Sequence, residues 1–390
     1  MKRSFSLLAM ILFVLIAYFL LWPVPVDPVS WPAPLNQGYT GSFAANARLA
    51  PLEFVNIGPG TGPEAVAIDS QGRIYTGTKQ GWIVRLDKDA KNPENWVNTG
   101  GRPLGMAFSP SGNLIVADAK QGLLSIAPDA QATVLADKVQ GTPIAYADDL
   151  DVTEDGIIYF SDASTKFNPQ TTGDSVEASM NDLIEHGGHG RLLRYNPATG
   201  ATTILITGLQ FANGVAVSHD GRSVLFNETG AYRIMRYWIK GPKRGAMEPV
   251  LENLPGFPDN ITRGMDGRYW VALVAPRNAL LDKLSDQPFV RKILPRLPKA
   301  IKPKAEDYGH IFAMNDTGKV LVNLQDPAGI FPANTSALET PTHLILGTLQ
   351  APHLARLDKQ KIQGLEARVP IETGNVNAIS PGSADMKNQE

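Results

Sequence analysis

The sequence contains no cysteine among its 390 residues. This absence excludes disulfide bonds, thiolate metal sites and a cysteine nucleophile, and it leaves the cellular compartment open. The chain also lacks an excess of charge of either sign, because 36 Lys and Arg face 38 Asp and Glu, for a formal net charge of -2. No basic field is therefore present to hold nucleic acid, and we expect no nucleic-acid partner.

One long hydrophobic run stands at the N-terminus. It covers residues 5–22, is broken only by Ser6 and is preceded by Lys2 and Arg3. At about 1.5 Å per residue, a helix of this length reaches roughly 27 Å, which is close to the hydrocarbon thickness of a bilayer. Positive residues before such a helix favour a cytoplasmic N-terminus and send the rest of the chain outward.

Residues 1–22 are therefore predicted as a cytoplasmic tip and an uncleaved signal-anchor helix. The protein would cross the membrane once, with its main domain on the periplasmic or extracellular/luminal side. The alternative is a long signal peptide that is cleaved further along, near Ala45 or Ala47. Residues 23–49 are rich in proline at their start and are predicted to form a stiff spacer.

Five copies of one short unit follow residue 50, each with an apolar strand, a tight turn that ends in glycine and a second apolar strand. Glycine permits the positive φ that tight hairpins require. A degenerate sixth copy surrounds Pro341 and Thr342, and the spacing of the units is close to one four-stranded blade. The pattern predicts an all-β fold, a six-bladed β-propeller. The turn glycines are Gly72, Gly112, Gly156, Gly221 and Gly267.

The propeller is expected to span residues 50–360. Residues 52–57 are predicted to add the outermost strand to the last blade and so to close the ring. Two insertions interrupt the repeats, at residues 164–189 and 276–307, and a polar tail follows at 361–390. The second insertion mixes basic and apolar residues, so it either lies on the membrane surface or forms a solvated lid on the propeller.

Polar residues open the inner strands of several units, where apolar residues would be expected. Inner strands line the axial channel of a propeller, so these side chains face a common point. A lone Asp or Asn there is more often a turn former, but several carboxylates around one channel repel one another unless a cation or protons neutralise them. An all-oxygen set suits Ca²⁺, and we predict one calcium ion on the axis. The residues with oxygen-bearing side chains at these positions are Glu64, Asp148, Asp149, Asn213 and Asp259. Of these, Glu64, Asp148, Asn213 and Asp259 are the predicted calcium ligands.

Six ordered runs of sequence carry a family resemblance, at residues 101–105, 116–123, 158–164, 211–216, 236–243 and 254–261. They resemble the strictosidine synthase-like family, over about residues 50–358. Wider relatives are the gluconolactonase and senescence marker group and the paraoxonases. The resemblance implies a calcium propeller, with Glu64, Asn213 and Asp259 at the metal-binding positions. Asp148 stands where relatives usually carry Asn beside the metal.

Three functions follow as hypotheses. The first is calcium-dependent hydrolysis of lactones or aryl esters, in which Asp259 or Asp148 takes a proton from the attacking water. The second is a non-enzymatic, membrane-anchored binding propeller in which calcium is structural. The third, amine condensation of the strictosidine synthase type, is disfavoured because Thr335 stands at the position of the catalytic Glu of that enzyme, with Glu339 four residues later.

A small-molecule substrate would meet further side chains near the channel. Arg102, Tyr146 and Asp149 are close in sequence to the predicted calcium ligands and are expected to contact the substrate. His343 either reaches the channel mouth from the last blade or has a packing role. No serine lies in a nucleophile-elbow pattern, so a serine triad is not expected.

Overall fold

Six antiparallel sheets of four strands surround a central axis in the computed structural model, which describes residues 2–298, 300, 302, 304–362 and 365. The predicted six-bladed propeller is confirmed. Blades one to three contain β2 (Val66–Ile68), β3 (Ile74–Gly77), β4 (Trp82–Leu86) and β5 (Glu94–Asn98); β6 (Pro103–Phe108), β7 (Leu114–Asp118), β8 (Gly122–Ile126) and β9 (Ala132–Ala136); and β12 (Ala147–Val152), β13 (Ile158–Asp162), β14 (Gly190–Asn196) and β15 (Ala201–Leu209).

Blades four and five contain β16 (Ala212–Val217), β17 (Ser223–Glu228), β18 (Arg233–Trp238) and β19 (Met247–Leu251), then β20 (Gly256–Arg263), β21 (Tyr269–Pro276), β22 (Gly309–Met314) and β23 (Val320–Asp326). Blade six contains β24 (Asn334–Glu339), β25 (His343–Thr348), β26 (His353–Asp358) and β1 (Glu53–Asn56). A short hairpin of β10 (Lys138–Val139) and β11 (Thr142–Pro143) precedes blade three.

The ring closes as the sequence predicts, because β1 pairs antiparallel with β26 as the outer strand of blade six. All five predicted turn glycines have positive φ, from 64° at Gly221 to 87° at Gly112. The core is divided into six apolar clusters, each between two neighbouring blades. Each blade is therefore stabilised by the apolar area that it buries against its neighbours on both sides.

A buried ion-pair cluster joins blades five and six. Glu339 accepts hydrogen bonds from Arg268 Nε and Trp270 Nε1, both at 2.8 Å, and its other oxygen lies 2.6 Å from Lys359 Nζ. Burial would raise the pKa of Glu339, but the hydrogen bonds from Arg268 and Lys359 outweigh it and lower the pKa to about 2. Glu339, which aligns near the catalytic position of the amine-condensing enzyme, thus has a structural role outside the channel.

The helices all lie outside the blades. An exposed apolar helix, α1 (Lys2–Leu21), stands at the N-terminus, and its residues Ser4–Leu21 are long and apolar enough to span a membrane. The first insertion forms α2 (Pro169–Thr172) and α3 (Ser175–Glu185), and the second forms α4 (Ala279–Lys283) and α5 (Pro288–Arg291). The side chain of Asp174 caps α3 by accepting hydrogen bonds from two backbone amides.

The segment that was predicted to be a spacer lies against the propeller. Val29 N donates to Glu185 O at 2.8 Å, Trp31 N donates to Ser285 O at 3.1 Å, and the Trp31 ring stacks on His186. These contacts tie the chain after α1 to both insertions. The predicted C-terminal tail falls almost entirely outside the described residues.

Candidate functional site

A cavity of about 400 Å³, here called the axial cavity, opens at one end of the propeller axis. Blades one, three, four and five each contribute one polar side chain to its base, namely Glu64, Asp148, Asn213 and Asp259. All four side chains are buried. The four residues that were predicted as calcium ligands therefore line a single cavity.

Irregular strand pairing brings these side chains inward. The register between the first two strands of a blade shifts between Ala147 and Leu150, between Ala212 and Val215, and again between Pro258 and Ile261. A β-bulge of this kind redirects side chains away from regular alternation. The neighbouring inner strands also approach closely, because a β-carbon at Gly214 would lie 2.6 Å from the carbonyl oxygen of Asp259. A larger residue than glycine would push β16 and β20 apart.

Two buried oxygens in this cavity lack a hydrogen-bond partner within the described residues. Glu64 Oε1 accepts a hydrogen bond from Asn260 Nδ2 at 2.8 Å, whereas Glu64 Oε2 has no partner. Asn213 Oδ1 is unpartnered as well. A buried acceptor without a donor costs free energy. A cation or a hydrogen-bond donor in this cavity would satisfy the unpaired oxygens of both blades.

Burial, together with the charge of Glu64 on its neighbours, raises the pKa of the carboxyl groups in the axial cavity. Burial raises the pKa of Glu64 to about 7, against opposing contributions from Arg102 and Asn260. Burial also raises the pKa of Asp148 and of Asp259 well above the usual range, and the charge of Glu64 adds to both shifts. A cation among these groups would favour their ionised forms and lower each pKa again.

The donor set fits a hard cation by its chemistry, since it consists of three carboxylates and an amide oxygen. Among the described residues, no three or more His, Cys, Asp or Glu side chains lie close enough together to enclose a metal ion. The residues that could hold calcium are Glu64, Asp148, Asn213 and Asp259.

Arg102 and Tyr146 lie beside the four acceptors. Tyr146 lines the cavity, and its hydroxyl donates to Ser175 O at 3.1 Å. Arg102 is buried behind the cavity wall, where its Nη1 donates to Gly62 O at 3.0 Å. Burial lowers the pKa of Arg102, and the nearby charge of Glu64 counteracts that shift. Arg102 therefore acts on the carboxylates through its charge, and it does not reach the lining.

The structure does not bring Asp149 and His343 to the axial cavity. Asp149 accepts a hydrogen bond from Val215 N at 2.9 Å and lines a second cavity of about 270 Å³. It follows Asp148 directly, so the two side chains leave the strand on different sides. His343 bonds to Thr342 and lines a separate cavity between blades one and six. Neither residue lines the axial cavity, and their contact with a substrate stays a prediction.

The two insertions form the upper wall of the cavity. The sequence predicted the insertions but not which of their residues line it. We call this wall the roof. It consists of Ser175, Val176, Ser179, Met180 and Leu183 on α3, Ala279, Leu280 and Leu281 on α4, and the segment 304–306. The helical spacing of Val176, Met180 and Leu183 is the sequence signal that could have identified one face of α3. The roof makes the cavity mainly apolar above its polar base.

Comparison with known proteins points to one family. The chain matches the strictosidine synthase family over residues 148–242 and the N-terminal strictosidine synthase-like family over residues 41–86. It is 34% identical over 345 residues to the protein strictosidine synthase-like 6 of Arabidopsis thaliana, covering 86% of this chain and 90% of that protein. It is 32% identical over 383 residues to the adipocyte plasma membrane-associated protein of Danio rerio, covering 92% and 90%.

Solved structures share the propeller. A gluconolactonase from Xanthomonas campestris superposes with a TM-score of 0.58 at 15% identity, covering 85% of this chain and 98% of that one. Regucalcin, a calcium-binding protein from Agrobacterium tumefaciens, superposes with a TM-score of 0.54 at 13% identity, covering 78% and 92%. Identities this low establish a common fold and nothing finer.

Proposed function

We propose, from the premise that this chain belongs to the strictosidine synthase-like family, that its axial cavity hydrolyses lactones or aryl esters with the help of one calcium ion. The observation that carries this proposal is the convergence of Glu64, Asp148, Asn213 and Asp259 from four blades in one roofed cavity. A gluconolactonase and a calcium-binding protein are among the structures with the same fold.

Calcium held by these four residues would polarise the substrate carbonyl and stabilise the oxyanion that develops on it. Asp259 and Asp148 are the candidate general bases, because each lies in the cavity and carries a carboxylate that can take a proton from an attacking water. The apolar roof residues, such as Met180 and Leu281, would hold the apolar part of the substrate and exclude bulk water.

A second candidate function is a binding propeller without catalysis, in which calcium stabilises the blades. One relative supports this alternative. The name of the adipocyte plasma membrane-associated protein of Danio rerio indicates a membrane association and mentions no reaction. Amine condensation finds no support, since Thr335 is buried and its hydroxyl donates to the Glu64 carbonyl, while Glu339 pairs with Arg268 and Lys359. No carboxylate therefore stands at the expected catalytic position.

We further propose that α1 anchors the protein in a membrane as a single span. Its apolar length and exposed surface support this assignment, as do the relatives described as associated with the plasma membrane. Lys2 and Arg3 before the span favour a propeller on the periplasmic or extracellular/luminal side.

The direct test is hydrolysis by the full-length chain in detergent. Phenyl acetate and simple lactones are assayed with calcium, after chelation, and after calcium is restored. We expect turnover with calcium, loss of at least about 100-fold after chelation, since calcium supplies the oxyanion stabilisation, and recovery on restoration. Magnesium serves as the control ion, because it prefers a smaller octahedral site. Tight calcium binding without turnover would overturn the hydrolase and support the binding propeller.

A further inference from the structure

The last turn of α1 is fixed to the second insertion. Tyr18 donates its hydroxyl hydrogen to Arg296 O at 3.1 Å. The buried guanidinium of Arg296 in turn donates to Trp22 O at 2.7 Å and to Phe19 O at 3.0 Å. A helix end that is held at three points cannot swing freely. The direction of α1 is therefore coupled to the position of the insertion.

The residues after α1 pack against the apolar wall of the axial cavity. Val24 and Val26 belong to the same apolar cluster as Leu104, Tyr146 and Phe211, which line that cavity. Polar contacts fix this segment from the other side, because Asp27 N donates to Glu185 Oε2 at 2.6 Å. The segment that leaves α1 and the wall of the axial cavity therefore share one apolar cluster.

Arg291 joins this segment to both insertions. It is buried, and its Nη1 donates to Val29 O at 2.8 Å and to Ser285 O at 3.1 Å. Its Nη2 donates to the Ile184 carbonyl at the end of α3. Arg291 therefore connects the roof to the segment that follows α1. Its guanidinium is buried in these contacts and does not face lipid headgroups.

Large apolar side chains are exposed on the wall of the cavity and on the neighbouring helix α5. Val176 and Leu280 both line the cavity and remain 38% and 42% exposed. On the next helix, Phe289 is 65% exposed and Val290 is 36% exposed. We call these four residues the apolar rim. Exposed apolar groups of this size are characteristic of surfaces that contact a membrane or another protein.

We propose that the apolar rim rests on the bilayer into which α1 inserts, so that the axial cavity receives amphiphilic molecules directly from the membrane. The partner is the lipid surface, because Phe289 and Val290 directly precede Arg291, which binds the segment that leaves the apolar helix α1. The substrate class that follows rests on the proposed function: lactones or esters that carry a long apolar chain, with the reacting carbonyl at the polar base of the cavity and the chain along the roof.

The position of the rim is tested without reference to catalysis. Since the chain has no cysteine, the variants Leu280→Cys, Phe289→Cys and Val134→Cys each take one environment-sensitive fluorophore. Val134 is the matched control, since it is 53% exposed on β9, an outer strand of blade two. Each labelled full-length protein is reconstituted in phosphatidylcholine vesicles that contain nitroxide lipids.

We expect quenching at positions 280 and 289 to exceed that at 134 by at least about twofold, because an interfacial apolar face sits roughly 5–10 Å into the headgroup and acyl boundary. Equal quenching at all three positions would overturn the proposal. Shielding at 280 and 289 from water-soluble quencher without quenching by lipid nitroxides would also overturn it, and would assign the rim to a second copy of the chain.

The route of entry is tested with lactones. A long-chain lactone dissolved in the vesicles and a short water-soluble lactone are compared for wild type, Phe289→Glu and the control Val134→Glu. Phe289 does not line the cavity. We expect Phe289→Glu to reduce turnover of the long-chain lactone at least about tenfold, through loss of rim insertion, and to leave the short lactone unchanged. An equal effect on both lactones contradicts entry from the bilayer. If neither lactone is hydrolysed by the wild type, the proposed function fails, while the quenching result still decides the position of the rim.

Discussion

Replacement of Asp259 by asparagine should reduce kcat for lactone or aryl ester hydrolysis by about 10²–10⁴-fold, the usual contribution of a general base. Asparagine has nearly the same shape but can neither accept a proton nor supply a charged ligand. The backbone contact at this position, in which Asn227 Nδ2 donates to Asp259 O, is retained. Initial rates at saturating calcium and saturating substrate measure the effect.

The variant should also remain folded, which separates lost chemistry from lost structure. Burial and the charge of Glu64 raise the pKa of Asp259, so ionisation of this carboxyl at neutral pH destabilises the calcium-free protein. The neutral amide removes that cost, and the melting temperature without calcium should not fall. Asp129→Asn, on an exposed turn of blade two, is the matched control and should keep wild-type turnover. Retained activity in Asp259→Asn would show that Asp259 is not the general base and would leave Asp148 as the candidate.

Replacement of Glu339 by alanine should lower the free energy of unfolding by about 3–5 kcal/mol, as found when one partner of a buried ion pair is removed. Arg268 and Lys359 would be left without their common carboxylate, and the Lys359 side chain is almost fully buried. Urea denaturation at neutral pH measures the loss. Glu94→Ala is the control, because its pair with Arg85 is more exposed and should contribute less than about 1 kcal/mol.

The effect of Glu339→Ala should shrink in acid. The folded-state pKa of Glu339 is lowered to about 2 from an ordinary value of 4.5. A lowered pKa contributes stability that is complete above about pH 4.5 and is lost as the pH falls towards 2. The difference in unfolding free energy between wild type and variant should therefore narrow as the pH falls from about 4.5 towards 2. A constant difference over this range would show that packing, and not charge, dominates the cluster.

The sequence predicted those parts of the molecule that follow from local rules. Turn glycines such as Gly112 recur because each tight hairpin requires a positive φ, and their spacing was enough to predict the number of blades. Asp148 and Asp259 could be assigned to one cavity because equivalent strands of a propeller share an axis. The closing strand β1 was predictable because an unpaired sheet edge requires a partner.

Features that depend on packing between distant segments could not be predicted from the sequence. Alternation places Asp148 and Asp149 on opposite sides of their strand, but only the register shift between Ala147 and Leu150 decides which of the two faces the axial cavity. His343 begins an inner hairpin in sequence, but its ring lies between blades one and six. The docking of Trp31 on His186 depends on contacts between distant segments, so proline content alone predicted a stiff spacer and not its packing.

Closure of the ring by β1 has a consequence for biosynthesis. Glu53 on β1 and Arg356 on β26 form an ion pair across 303 positions of the chain, so the first strand to be made pairs with the last. Until the ribosome has released β26, β1 has no partner and blade six cannot form. Long-range pairing of this kind slows folding, and here it makes completion of the ring wait for the end of synthesis. A chain that stops before β26 would leave two open sheet edges beside a membrane and should be a substrate for quality control and not a partly active protein.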